Sequence, residues 1–322
     1  MEKVTKTTKV RCMYGTCVNC DEIVNEVGIH NIVEIDAEAG TLERDFVYPP
    51  FSYLDTKDNR WLKRRNKWKY RLGNLSDTRE ETLGNGMLGT INKGTSNFDP
   101  VLAELCYKWF CPKGSYIIDP FAGEQTKGGV AAWLGYNYVG IDIRQEQVDL
   151  NNKLFSKITN GKAVCLKGDS SIILNYLEVK KFNFLLTSPP YYDLEIYSKG
   201  KGDLSAFGSY REFLKLYARI IQAASLLLKD GSFAVYKVGE IRKKSGEYYN
   251  FVGDTIKIFL ENGFKYYNEF IMLNALGTVP FRVRKSFTAT RKCGKLHQNI
   301  LVFYKGEMAD IGKQIKQKEW YV

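Results

Sequence analysis

The sequence predicts an α/β protein built on a doubly wound, mostly parallel sheet. Two observations carry this. Short apolar runs alternate with stretches of helical spacing, the pattern of repeated βα units. Several of these runs also end on a carboxylate (Asp119, Asp142, Asp169) or on a Pro pair (Pro189, Pro190). Such ends line up along one sheet edge, and in open α/β sheets that edge is where ligands bind.

Residues 1–45 suggest a small β-rich appendage, with Ile32-Val33-Glu34-Ile35 as its clearest strand. Residues 46–97 are polar and basic, with Gly84, Gly86, Gly89 and Gly94 close together, and suggest loop and short helix. Asp99-Pro100 then opens a helix to about Phe110, with Asp as N-cap and Pro in the first turn. Ser115 to Asp119 is a strand. The small-residue turn after it leads into a helical pattern at Val130, Ala131, Trp133 and Leu134. Tyr138 to Asp142 and Lys162 to Leu166 are further strands, the latter followed by Gly168-Asp169-Ser170.

Phe182 to Leu186 reads as a buried parallel strand, stopped by Ser188-Pro189-Pro190-Tyr191 because Pro cannot continue a ladder. A linker, 193–207, precedes a helix over Tyr210 to Lys229 spaced by Phe213, Tyr217, Ile220, Ile221, Ala224 and Leu228, with Gly231 as its stop. Ser232–Val238 is a strand, Phe251–Leu260 a helix, Lys265–Leu273 a strand and Asn299–Tyr304 the last strand. The expected division is an appendage and basic segment over 1–95, a catalytic domain over 96–306 and a tail over 307–322.

Composition narrows the function classes. The chain has 322 residues, 44 % hydrophobic and 14 % aromatic, enough for a large core. Its net charge of +11 points to a polyanion. No apolar run reaches the roughly 18–20 residues of a membrane span, and no signal-peptide core follows Met1. Seven unevenly spaced Cys argue against a disulfide framework and for a reducing, cytoplasmic compartment. Cys12, Cys17, Cys20 and His30 are a weak zinc candidate, with small reduced Cys residues in an apolar patch as the plainer reading, and no metal is expected. Cys106, Cys111, Cys165 and Cys293 are core or incidental. No Pro-Cys in a catalytic context supports covalent cytosine C5 chemistry.

The charge is clustered. Residues 57–71 hold eight Lys/Arg against one Asp, with Trp61, Trp68 and Tyr70 interleaved. Arg60, Arg64, Arg65 and Lys67 are candidate phosphate contacts and the aromatics candidate stacking faces. The alternative is a solvated helix face with its Trp residues in the core. A second cluster around Arg282, Arg284, Lys285 and Arg291 has no acidic residue from Phe281 to His297 and reads as a basic loop between two strands.

The chemistry sits in two motifs. Ser188-Pro189-Pro190-Tyr191 offers a polar oxygen, two stiff residues without N–H and a ring, which suits a planar base carrying an exocyclic amine. A Pro-rich strand exit with a core Tyr is the alternative. Asp119-Pro120-Phe121-Ala122-Gly123 forms a strand–turn–helix junction where backbone N–H groups can approach a ligand. Asp142 follows about 20 residues later, where a carboxylate can hold ribose hydroxyls.

In this order the motifs resemble those of the S-adenosylmethionine-dependent DNA methyltransferases that modify cytosine N4 or adenine N6. The resemblance covers roughly residues 95–305, and the Ser form is the one most often associated with cytosine N4. It implies a seven-stranded Rossmann-like methyltransferase sheet with its last strand antiparallel, and a modification enzyme of the restriction–modification kind acting on flipped bases of duplex DNA. It implies S-adenosylmethionine contacts from Asp119, Phe121, Ala122, Gly123, Asp142, Asp169 and Ser188, and catalysis by Ser188, Pro189, Pro190 and Tyr191. For Asp169 a helix N-cap is the competing role. Gln125 departs from the family's second Gly, with Gly128 and Gly129 nearby in partial compensation. A methyltransferase acting on RNA or on a protein amide, or a non-catalytic DNA-binding relative, is the alternative. Base recognition falls to residues 1–95, 193–209 or 274–298.

Overall fold

The computed structural model describes residues 41–73, 97–192, 209–243, 245–277 and 279–320. The Cys12/Cys17/Cys20/His30 group, the strand expected at 32–35, the Gly-rich stretch 84–94 and the linker 193–207 lie outside them. The chain forms two compact units, residues 1–50 with Val322 and residues 51–321. In the first, Thr41–Phe46 is a helix, α1, at the end of the segment expected to be β-rich.

The larger unit is one eight-stranded sheet. Its strands are β1 (Tyr53–Asp55), β2 (Tyr116–Asp119), β3 (Asn137–Asp142), β4 (Lys162–Lys167), β5 (Phe182–Thr187), β6 (Leu228–Val238), β7 (Lys265–Leu273) and β8 (His297–Lys305). The order across the sheet is β1-β7-β8-β6-β5-β2-β3-β4. Only β8 runs antiparallel, to both β6 and β7. The direction of winding reverses between β2 and β5, which pair in parallel. Seven strands match the expected sheet. The eighth, β1, is a three-residue edge strand parallel to β7, too short to carry an alternation signal in sequence.

The helices are α2 (Asn59–Leu72), α3 (Pro100–Phe110), α4 (Thr126–Trp133), α5 (Gln145–Phe155), α6 (Tyr210–Leu227), α7 (Phe251–Glu261), α8 (Val279–Thr290) and α9 (Ile311–Gln317). Asp99 caps α3 as expected, its carboxylate accepting from Val101 N at 2.8 Å. On one face of the sheet α6 buries Phe213, Tyr217, Ile220, Ile221, Ala224 and Leu227, a single helical stripe, into a core shared with Phe251, Phe259, Leu185 and Tyr236. Each large side chain buried there contributes about 1.5–3 kcal/mol. Among the described residues no helix is long and apolar enough to cross a membrane.

Three expectations are corrected. Gly231 does not stop α6, which ends at Leu227. It lies inside β6 at φ +78°, where the pairing with β5 shifts register, and a Cβ there would collide with the Gln314 amide. The late basic segment is not all loop, since it holds α8. α2, expected in an N-terminal appendage, belongs to the larger unit: Trp61 and Trp68 are fully buried, and their indole N–H groups donate to Asp99 and Glu104.

Candidate active site at the carboxyl edge of the sheet

Asp119 ends β2 with no solvent exposure. Its Oδ1 accepts from Thr187 Oγ1 at 2.5 Å and from Phe121 N at 3.1 Å. Its Oδ2 accepts from the Tyr138 hydroxyl at 2.7 Å and is paired with Lys127 Nζ at 2.8 Å. The carboxylate is fully buried and engaged by these four protein partners. It is a positioning residue that ties the end of β2 to the end of β5, across the point where the winding reverses. Lys127 Nζ donates also to the Phe121 carbonyl at 2.9 Å and fixes the turn from below.

That turn is open on its ligand side. Gly123 sits at φ +55°, and the nearest atom to a Cβ built there is the Phe121 carbonyl oxygen at 4.0 Å. Its carbonyl accepts from Asn151 Nδ2 at 2.9 Å. Ala122 is buried and donates its N–H to Ile141 O at 2.9 Å. The half-buried Phe121 ring stacks on Tyr217 at 6.4 Å.

Gly128 and Gly129 do not compensate for Gln125 at the turn. They lie within α4, where a Cβ on Gly128 would overlap the Phe155 ring and one on Gly129 would come within 2.9 Å of Leu72. Both are small for packing. Gln125 itself is buried and donates to Leu150 O at 3.2 Å. Glu124, which sequence reasoning missed, accepts from Phe98 N and from Thr126 N and Oγ1, and burial pushes its carboxyl pKa up.

Asp142 ends β3 beside this turn. Burial raises its pKa, while Arg144 and the Gly123 N–H oppose the rise. Its Oδ1 accepts from Arg144 N at 2.9 Å, and Arg144 Nε lies 3.4 Å away. The carboxylate is 10 % exposed at the mouth of the Gly123 turn. Asp169 caps the 3-10 turn Ser170–Asn175, accepting from Ser171 N at 2.8 Å, which matches the N-cap role. Ser170 Oγ donates to the Pro120 carbonyl at 2.6 Å and adds a further brace to the turn.

Ser188 follows β5 directly, and its Oγ lies 3.2 Å from the Lys237 carbonyl. A carbonyl only accepts, so the serine proton points at β6, and the oxygen's lone pairs face elsewhere. Pro189 is buried, and Pro190 and Tyr191 are half-buried. Tyr191 is held at both ends: its hydroxyl accepts from Gln298 Nε2 at 3.1 Å, and its ring meets Phe251 edge-on at 6.1 Å. Tyr192 sits behind it among Tyr210, Phe213 and Tyr249. The four residues expected to act together do share one edge with the Gly123 turn, because Thr187 is bonded to Asp119.

The two basic clusters differ. In the first, Arg64 forms a two-point bridge to buried Glu104, with Nε to Oε2 at 2.6 Å and Nη2 to Oε1 at 2.5 Å. Arg60 pairs with Asp58 at 2.6 Å, and Arg65 approaches Asp99 at 4.0 Å. Trp61 and Trp68 are core, so the stacking role expected of them is overturned, while Tyr70 is 90 % exposed. In the second cluster, Arg282, Arg284, Lys285 and Arg291 are all exposed. Among the described residues no group of His, Cys, Asp and Glu could hold a metal ion.

A family profile described as DNA methylase matches residues 32–153, from the N-terminal segment through the Gly123 turn into α5. Over that span, about two fifths of its length, the chain is similar to the N6/N4 DNA methylases. The matched span contains Asp119, Gly123 and Asp142 and stops short of Ser188. No curated protein matches the chain. Among solved structures it is similar to TrmN from Thermus thermophilus (15 % identity, TM-score 0.43), covering 66 % of this chain and half of that one. It is similar also to magnesium protoporphyrin IX methyltransferase from Synechocystis with bound SAM (14 %, TM-score 0.43, 69 % of this chain and 86 % of that one). A candidate DNA modification methylase, also from Thermus thermophilus, is a third (19 %, TM-score 0.33, 44 % and 51 %). A shared fold does not carry a substrate with it.

Proposed function

We propose that this protein is an S-adenosylmethionine-dependent DNA methyltransferase that methylates the exocyclic amine of a base flipped out of duplex DNA, and that Ser188 and the Pro189 carbonyl are the acceptors that make the amine reactive. One observation carries the reading. The Ser188 hydroxyl donates to the Lys237 carbonyl, so its lone pairs are turned out as acceptors. The amine's lone pair is delocalised into the base ring and is a poor nucleophile. Acceptors outside the ring plane favour a pyramidal nitrogen and free that lone pair for attack. S-adenosylmethionine, when bound, supplies an electrophilic methyl group on its sulfonium. The new C–N bond forms as the methyl–sulfur bond breaks, and the amine then loses one proton, made acidic by methylation, to solvent. No strong general base is required, and positioning supplies most of the rate.

The residues present fit the cofactor. The open, left-handed Gly123 turn admits the methionine end beside Phe121 and Ala122, and Asp142 stands at the next strand end to accept from ribose hydroxyls. Asp169 holds the adenine edge if its second carboxylate oxygen is the one used. Tyr191 stacks on the flipped base. Arg282, Arg284, Lys285 and Arg291 contact phosphates, whereas Arg60, Arg64 and Arg65 spend their charge within the protein. The Ser form of the motif favours cytosine N4. The test is incubation with duplex DNA and labelled cofactor, followed by nucleoside digestion. N4-methylcytosine or N6-methyladenine is expected. Methylation confined to RNA or protein would overturn the reading.

A further inference from the structure

Among the described helices of eight residues or more, α8 alone buries no residue. It is not detached, because it is built into the connection from β7 to β8 and so sits at the carboxyl edge, beside the site. Asn274 N donates to Leu296 O at 2.8 Å and closes the base of this excursion. Gln298, at the start of β8, donates to Tyr191 Oη, and a Cβ on Gly239 would lie 3.4 Å from that same hydroxyl and 3.7 Å from Lys295 Nζ. One stripe of α8 is occupied: Val279 and Val283 pack on Gly294, where a Cβ would overlap Val279 and lie 3.5 Å from Val283.

At 100° per residue the opposite stripe is Phe281, Arg284, Lys285 and Thr288. All four are exposed, and Phe281 is 84 % exposed. A large ring held in water between cations suits a partner that is anionic at its rim and apolar within. A nucleic-acid duplex is such a partner, with phosphates outside and stacked bases inside. No acidic residue from Phe281 to His297 opposes it.

We propose that α8 is the element that opens the duplex: Arg284 and Lys285 grip phosphates flanking the target, and Phe281 enters the stack and fills the space the flipped base leaves. The proposal rests on the DNA-methylation reading above and assigns the work of flipping to a helix outside both sequence motifs. Holding a base out costs unstacking and unpairing, and an inserted apolar ring offsets that cost.

The test compares Phe281→Ala and Phe281→Trp with the unmodified protein on two short duplexes carrying the mapped target base. In one the target is paired. In the other it faces an abasic site, so that little flipping work remains. Phe281→Ala is expected to lose roughly tenfold or more in methylation rate on the paired duplex, as loss of one stacking contact can cause. It should stay within about twofold on the abasic duplex, and Phe281→Trp should retain activity on both. With 2-aminopurine at the target position, the fluorescence rise on binding should be lost in Phe281→Ala. Equal rates of Phe281→Ala and unmodified protein on the paired duplex, or an equal loss on both duplexes, would overturn the wedge. An unmodified protein that methylates neither duplex would instead overturn the DNA reading beneath it.

Discussion

Arg64→Ala separates two roles for the basic helix α2. The bridge to Glu104 is two-point, and Glu104 is 2 % exposed. Lys108 Nζ at 3.1 Å and Trp68 Nε1 at 2.7 Å complete its shell. Burial alone would raise the Glu104 pKa, but Arg64, Lys108 and Trp68 outweigh it and hold the carboxyl down to about 2, against an ordinary 4.5. At about 1.4 kcal/mol per unit, that depression is on the order of 3 kcal/mol of linked stability, shared among the three partners.

Removing Arg64 leaves a buried carboxylate with two partners of three, and breaking a buried pair costs about 3–5 kcal/mol. The low end, about 3 kcal/mol at pH 7, is expected here because Lys108 and Trp68 stay. The sign with pH follows from the depressed pKa. The stabilisation is fully present above about 4.5 and is lost as pH falls toward 2. The gap between Arg64→Ala and the unmodified protein should therefore narrow in acid. Urea unfolding followed by Trp fluorescence at pH 7 and pH 4 measures it, with Trp61 and Trp68 reporting on the region itself. A variant within about 0.5 kcal/mol of the unmodified protein at pH 7, whose DNA affinity had a shallower salt slope by about 0.9, would make Arg64 a phosphate contact and refute the internal role.

Three further outcomes follow from the site. Ser188→Ala should lower turnover by about 10²-fold with cofactor affinity within a few fold, as loss of one preorganised polar contact can do; full activity would remove Ser188 as an acceptor. Asp142→Ala should weaken S-adenosylmethionine binding by about 1.5–3 kcal/mol in calorimetry, the range for hydrogen bonds to a charged group, and unchanged affinity would remove the ribose role. Replacing Arg282, Arg284 and Lys285 together with Ala should make the slope of log K against log salt shallower by up to about 3, with cofactor affinity unchanged; an unaltered slope would leave α8 without a phosphate partner.

Much of the sheet was legible because its central strands are short, apolar and bounded by turn residues. β7 matches its expected bounds, and β2 to β5 each differ by a single residue at one end. The site motifs were legible because they are contiguous. What escaped is whatever depends on distant pairing. Thr187 and Asp119 are 68 residues apart in the chain, Tyr191 and Gln298 are 107 apart, and no local pattern announces either bond. The roles of Trp61 and Trp68 escaped for a related reason. On a helix with eight nearby cations their apolar stripe is sparse, and only the buried carboxylates of Asp99 and Glu104, at the cap and within another helix, turn them inward. α8 was taken for loop because Pro280, the β-branched residues and the basic run lower its helical propensity, while its packing onto Gly294 lies beyond any local window.

The Asp119 network brings the two motifs together at one sheet edge although 64 residues separate Gly123 from Thr187. On its β2 side Asp119 receives the Phe121 N–H and Lys127, which hold the Gly123 turn. On its β5 side it receives Thr187, the residue before Ser188. Any shift of the turn that lengthens one bond pulls on the same buried carboxylate that anchors the other. With no exposure, Asp119 cannot trade these partners for water, so the distance between the Gly123 turn and Ser188 is set by short bonds to one residue. Methyl transfer is sensitive to displacements of about 1 Å. On the proposed reading, a carboxylate placed to fix that distance affects the rate without touching either reactant, and the chemistry depends on the spacing between the two motifs as much as on the motifs themselves.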